Sequence, residues 1–124
     1  MNEKRAIIVG GSVGGLFAGN FLIQQGWTVD ILEQAQESLA SRGTGIAWHD
    51  ELEVIMRALN IPPDDTVGVD VTGRTAFDRT GSITASFALT QRLGAWNRVF
   101  LPLYDAFPKA RYHNGARMES LVTT

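Results

Sequence analysis

The sequence predicts an α/β fold: a Rossmann-like βαβ core holding part of a parallel sheet in the order 3-2-1, with an added β-hairpin. Three observations lead there. A short branched apolar run, residues 6–9, breaks into the glycine-rich string Gly10-Gly11-Ser12-Val13-Gly14-Gly15. The apolar periodicity then changes from that of a strand to that of a helix. A second apolar run follows and stops at an acidic residue, Glu33.

Each element has its own warrant. Residues 6–9 are apolar throughout, as a buried parallel strand requires. Residues 16–25 place Phe17 and Phe21 at i, i+4 and Leu16 and Ile23 at i, i+7, with Gly26 as the stop. Gly19 weakens this helix intrinsically, so its presence points to close packing of helix on sheet. Residues 27–32 supply the second strand, with Thr28, Val29 and Ile31 suited to extended backbone. Residues 34–46 read as a polar loop. A second helix is predicted over 50–60, where Leu52, Ile55, Met56 and Leu59 share a face and Pro62-Pro63 prevents continuation. Residues 67–87 alternate around Thr80-Gly81 and predict a hairpin apart from the parallel sheet. Leu93, Trp96, Phe100 and Leu103 predict a helix over 93–106, which Pro102 must kink or divide. Residues 110–113 are the third parallel strand, and 116–123 begin another.

Composition narrows the function. A chain of 124 residues with 44% hydrophobic and 19% charged residues is an ordinary single globular domain by size. A net charge of −2 gives no basic field for nucleic acid. Zero cysteines exclude disulfides and thiol chemistry and agree with a reducing, cytoplasmic setting. No run approaches the ~20 apolar residues a membrane span needs, so no membrane partner is expected.

The glycine string has a specific chemistry. Gly10 permits a tight turn out of the strand, and Gly15 lets the helix sit close against it. The first helical turn then offers free N–H groups and a positive dipole end to a pyrophosphate. Ser12 occupies the middle position of the usual G-x-G-x-x-G, still permits close approach, and adds a hydroxyl. The competing reading is a tight strand-to-helix turn that binds nothing. Glu33 sits where a carboxylate accepts hydrogen bonds from a ribose diol, which disfavours a 2′-phosphate and hence NADP at this site. A strand-end glutamate taken alone is more often solvated surface. These residues do not separate FAD from NAD.

Other candidates have simpler explanations. His49 and His113 lie on different elements without metal-ligand spacing. Asp64-Asp65 reads as a turn, and Asp50, Glu51 and Glu53 suit a helix dipole. Trp48 and the stripe Leu93, Trp96, Phe100 and Leu103 read as core. Ser12 lacks a histidine placed to activate it as a nucleophile.

The string from Val9 to Leu16, the ending Ile31-Leu32-Glu33-Gln34 and the loop Arg42-Gly43-Thr44-Gly45-Ile46 resemble the start of class A FAD-dependent aromatic hydroxylases. Within them the resemblance is to the 2,6-dihydroxypyridine 3-hydroxylase-like group of flavoprotein monooxygenases. Ala95-Trp96-Asn97-Arg98-Val99-Phe100 resembles a helix start of that group, although many relatives carry a flavin-touching arginine at the position of Trp96. The resemblance implies that Gly10, Ser12, Val13, Gly14 and Gly15 cradle the FAD pyrophosphate, that Glu33 holds the adenosine ribose, and that Gln34 lies beside the adenine. It further implies that Arg42 neutralises phosphate and that Thr44, Gly45 and Ile46 approach the ribityl chain and flavin ring.

In that family NADPH or NADH reduces FAD, and the reduced flavin uses O₂ to hydroxylate a small aromatic substrate. The second flavin motif and the substrate-binding sheet of such enzymes do not occur in this sequence. Residues 1–124 are therefore expected to form the N-terminal part of an FAD/NAD(P)-binding domain, with the substrate domain absent and no catalytic residue assignable. The edge of the first strand, at Ile7, Ile8 and Val9, is expected to be unpaired and to promote self-association. Two alternatives stay open: an NAD-binding module of another class, and a cofactor-free Rossmann fragment without activity of its own.

Overall fold

The structure is a computed structural model and describes residues 2–64 and 68–123. Its first half is a βαβ unit. β1 (Arg5–Val9) leads through the glycine turn into α1 (Val13–Gln24), and the chain returns as β2 (Thr28–Glu33). β1 and β2 pair in parallel with Ile7 opposite Asp30 and Val9 opposite Leu32. The last strand, β6 (Tyr112–Asn114), adds to the far side of β2, giving the order β1-β2-β6. This is the 3-2-1 sheet that the sequence predicts.

The 34–46 segment holds more order than its polar composition suggests. A 3₁₀ turn forms at Leu39–Ser41, and β3 (Gly45–Trp48) follows. After α2 (Asp50–Ala58), a long antiparallel ribbon is built by β4 (Gly68–Phe77) and β5 (Ile83–Ala95). β3 pairs with the distal part of β5, so the second sheet has the order β3-β5-β4. The hairpin turns at residues 78–82 as expected, where Asp78 Oδ1 accepts from the Thr80 and Ser82 N–H groups at 2.8 and 3.0 Å. Those bonds, led by the Thr80 hydroxyl, hold the Asp78 carboxyl below its ordinary range. Val67, the first residue of the predicted hairpin, and Asp65 lie outside the described residues.

Three sequence expectations are corrected. Residues 93–95, predicted as helix, are strand, because Leu93, Gly94 and Ala95 face Ala47, Ile46 and Gly45 across the β3–β5 ladder. Strand pairing supplies backbone partners that a helix start would leave unsatisfied. α3 therefore runs over Asn97–Ala106, and Pro102 does not divide it. The third parallel strand begins two residues late, since residues 109–111 form a 3₁₀ turn. Residues 116–123 are not a strand. The chain turns at Gly115, whose N–H bonds the Ala35 carbonyl at 2.9 Å, and Ala116 N–H bonds the Glu33 carbonyl at 2.9 Å.

The core lies between one face of the parallel sheet and helices α1 and α3. Leu16, Val29, Ile31, Val99, Leu103 and Phe100 are at most 1% exposed, and the cluster continues through Trp48, Leu52 and Met56. Gly19 sits where the helix presses closest: a Cβ there would stand 2.9 Å from the Phe107 ring and 3.1 Å from Ile31. Asn20 is the polar member of this interface. Its Nδ2 donates to the Leu16 carbonyl at 2.9 Å and to the Leu103 carbonyl at 3.1 Å. Phe107 N–H turns to the Tyr104 carbonyl instead, so Asn20 satisfies an end of α3 and ties it to α1. The opposite face of the sheet is open, leaving Ile7 70% and Val9 56% exposed. On that face Asp30 is flanked by Arg111 Nη1 at 3.0 Å and His113 Nε2 at 2.9 Å, and its carboxyl titrates low, chiefly through the His113 bond.

Asn20→Ala removes both bonds and leaves a small void. Denaturant unfolding should show a loss of about 2 kcal/mol with an unchanged m-value.

Candidate dinucleotide site

The site gathers at the C-terminal ends of β1 and β2, where ligands of open α/β sheets bind. Gly10 N–H still bonds the Leu32 carbonyl at 2.8 Å, so the turn begins inside the ladder. Gly10 then takes φ +104°, a backbone state that a side chain resists. A Cβ on Gly15 would stand 1.9 Å from the Gly10 carbonyl oxygen, so only glycine lets α1 start this close to the strand. Ser12 caps α1 in extended backbone, and its hydroxyl makes no capping bond. The helix leaves the N–H groups of Val13, Gly14 and Gly15 without intrahelical partners. No heavy atom outside the turn lies within 4 Å of a Cβ at Gly10 or Gly14, so the cradle is open to a ligand.

Glu33 is buried, only 7% exposed, and its carboxylate is engaged on both oxygens. Oε2 accepts from Gly11 N–H at 2.8 Å and Oε1 from Ala35 N–H at 2.8 Å. Each oxygen retains a lone pair for a further donor. Gly11 is held on its other side as well: Tyr112 Oη donates to the Gly11 carbonyl at 2.7 Å. A Cβ on Gly11 would stand 2.2 Å from that phenol oxygen. Burial, the Glu33 charge and Tyr104 together push the Tyr112 hydroxyl up to about 12.

Two clefts meet at Glu33 and Gln34. One, of about 230 Å³, is lined by Val9, Gly10, Leu32, Ala116, Arg117 and Met118 besides that pair. The other, of about 400 Å³, adds Ser12, Leu39, Arg42, Gly43 and Trp96. Of the residues singled out from sequence, Gly10, Ser12, Glu33, Gln34 and Arg42 thus line this region, with Val13, Gly14 and Gly15 directly behind Ser12 in the chain. Thr44, Gly45 and Ile46 line neither cleft; Gly45 and Ile46 begin β3. Trp96, which the sequence reads as core and which stands where many relatives carry a flavin-touching arginine, also lines the larger cleft. Gly11, Tyr112 and Arg117 are parts of the site that the sequence does not single out, and only Gly11 leaves a signal there, being a second glycine at the turn. Trp48 is core, 9% exposed. Among the described residues no three His, Cys, Asp or Glu side chains group to hold a metal ion, and no helix is long and apolar enough to cross a membrane.

Comparison with known proteins finds chains similar to this one in sequence and in fold. No protein-family model matches the chain. It is 32% identical over 117 residues to 2,6-dihydroxypyridine 3-monooxygenase of Paenarthrobacter nicotinovorans, covering 88% of this chain and 28% of that protein. The solved structure of 2,6-dihydroxypyridine-3-hydroxylase from Arthrobacter nicotinovorans superposes with a TM-score of 0.72 at 29% identity, over 92% of this chain and 29% of that one. Klebsiella pneumoniae HpxO, complexed with FAD and uric acid, shares the fold at a TM-score of 0.64 and 20% identity, over 90% of this chain and 31% of its own. The chain is a relative of the class A FAD-dependent hydroxylases. In sequence it resembles the 2,6-dihydroxypyridine 3-hydroxylases, and it spans less than a third of the length of the relatives named here.

Tyr112→Phe deletes the bond to Gly11 and should lower stability at neutral pH by about 1 kcal/mol. The hydroxyl's folded value of about 12 lies above its ordinary 10.0. The folded state therefore binds more protons between those values, and stability present below pH 10 is lost as pH rises towards 12. Alkaline unfolding curves should flatten over this window in the variant.

Proposed function

We propose that this chain is the FAD-binding portion of an NAD(P)H-dependent flavoprotein monooxygenase acting on an aromatic or heteroaromatic substrate. The observation that carries the reading is the Gly11 N–H to Glu33 bond, which sets a glycine cradle and a ribose-type carboxylate in one fixed unit. The 32% identity to 2,6-dihydroxypyridine 3-monooxygenase and the FAD-bound state of a fold relative support FAD over NAD. When bound, FAD supplies the redox chemistry, taking electrons from NADPH or NADH and using O₂ to hydroxylate the ring.

The residues of this chain bind and orient. The N–H groups of Val13, Gly14 and Gly15, with the positive end of α1, meet the pyrophosphate, and the Ser12 hydroxyl adds a donor. Gly10 and Gly15 keep that approach free of side chains. The spare lone pairs of Glu33 accept the adenosine ribose hydroxyls, and Gln34 borders the adenine. Arg42 offsets phosphate charge. Thr44, Gly45 and Ile46 extend the site towards the ribityl chain and flavin ring, and the protein acts in the cytoplasm.

Titration of the purified chain with FAD tests this, following quenching of flavin fluorescence. Saturable binding is expected, weakened about tenfold in Glu33→Gln, the size of one lost hydrogen bond to a charged group. A chain that leaves FAD fluorescence unchanged at every concentration removes the reading.

The exposure of Ile7 and Val9 on the edge strand β1 favours a second property, self-association through that edge. Size-exclusion chromatography should give an apparent mass that rises with protein concentration, and Ile7→Lys should abolish the rise. A monomer at all concentrations counts against it.

A further inference from the structure

The loop that carries Arg42 meets the indole of Trp96 one residue further on. Gly43 lies against the indole of Trp96, and a Cβ built on Gly43 would stand 2.3 Å from Trp96 Cε3 and 2.5 Å from its Cβ. The next residue, Thr44, accepts a backbone hydrogen bond from Trp96 N–H at 3.3 Å. Trp96 is held in turn by the core: its ring stacks on Phe100, with centroids 4.6 Å apart and planes 14° from parallel. Phe100 is 1% exposed, whereas residues 41–45 are all exposed. This exposed stretch is thereby tied to the interior by the Trp96 indole, between the Leu39 and Ala40 side, which packs on the core, and the β3 ladder that begins at Gly45. Arg42 enters none of the ion pairs among the described residues, and it shares the wall of the larger cleft with Ser12 and Trp96.

We propose that Trp96 is a positioning residue for Arg42: by packing on Gly43 it holds the arginine in the cleft wall opposite the phosphates of a nucleoside diphosphate or dinucleotide. The proposal rests on the dinucleotide reading of the cradle and adds how the cation of the 34–46 loop is kept in place. Without the anchor, ordering of the loop would be charged against binding when the ligand arrives; with it, that order exists beforehand.

The test has two arms on the full chain. In ligand-free protein, Trp96→Ala should speed tryptic cleavage after Arg42 about tenfold, while cleavage after Arg79 in the hairpin turn keeps its rate. Trp96→Phe, which keeps a ring, should stay near wild type. Gly43→Ala deletes no core side chain but forces the loop and the indole apart, and should behave like Trp96→Ala. Wild-type cleavage rates after Arg42 in both Trp96→Ala and Gly43→Ala overturn the anchor. If Trp96→Ala also accelerates cleavage after Arg79, it has unfolded and Gly43→Ala alone decides.

In the second arm, calorimetric titration with ADP should show about tenfold weaker binding for Trp96→Ala and for Arg42→Ala, the double variant being no weaker than Arg42→Ala. Multiplied losses overturn the proposal, because Trp96 would then act independently of Arg42. A wild-type chain that binds neither ADP nor FAD overturns the cofactor reading and with it the phosphate role of Arg42. The cleavage arm still decides the anchor in that case.

Discussion

Both polar groups of a single residue, Gly11, are gripped by side chains from the other two parallel strands. Glu33 takes its N–H and Tyr112 its carbonyl. The turn between β1 and α1 must follow one course for these bonds to form together, and the site depends on that course. Glu33 is consequently a structural part of the turn in its own right. Its burial is tolerable because each carboxylate oxygen already receives a backbone N–H, which offsets desolvation of the charge. A ribose would add donors to a group already oriented, which is how a binding site gains from preorganisation.

The helical layer serves the same turn from behind. Gly15 brings α1 against the Gly10 carbonyl, Gly19 brings it against Phe107 and Ile31, and Asn20 ties it to the end of α3. Trp96, Phe100 and Tyr104 stack in succession along α3, and Tyr104 meets Tyr112 edge-on at 5.0 Å. An aromatic column thus runs from the loop of Arg42 to the phenol that holds Gly11. Helix packing and the glycine turn are one construction seen from two sides.

The βαβ unit was legible because its signals are local: branched apolar runs, a glycine turn between them and an acidic end at Glu33. The hairpin turn at Thr80-Gly81 was legible for the same reason. What escaped the reading was set by partners distant in sequence. β3 has four residues, and nothing local marks them as strand; their partners at 92–95 lie 44 to 50 positions on. Those partners in turn looked helical, since Leu93 falls in register with Trp96, Phe100 and Leu103, and the ladder overrode that spacing. Within the site, Gly10, Gly15 and Glu33 could be chosen from pattern alone. Tyr112 could not, because no spacing reveals a phenol that reaches a turn 101 residues away.

That separation also bears on how the protein assembles. β1, α1 and β2 are contiguous and can pair early, with short loops to close. The Gly11 carbonyl receives its partner only after β3, the long ribbon and α3 have been laid down between β2 and β6. Contacts of such range close slowly, since the entropy of the intervening chain must be lost first. The cradle is thus drafted by the first thirty residues and locked by one of the last strands to join. During synthesis the turn at Gly11 emerges far ahead of the residue that completes it.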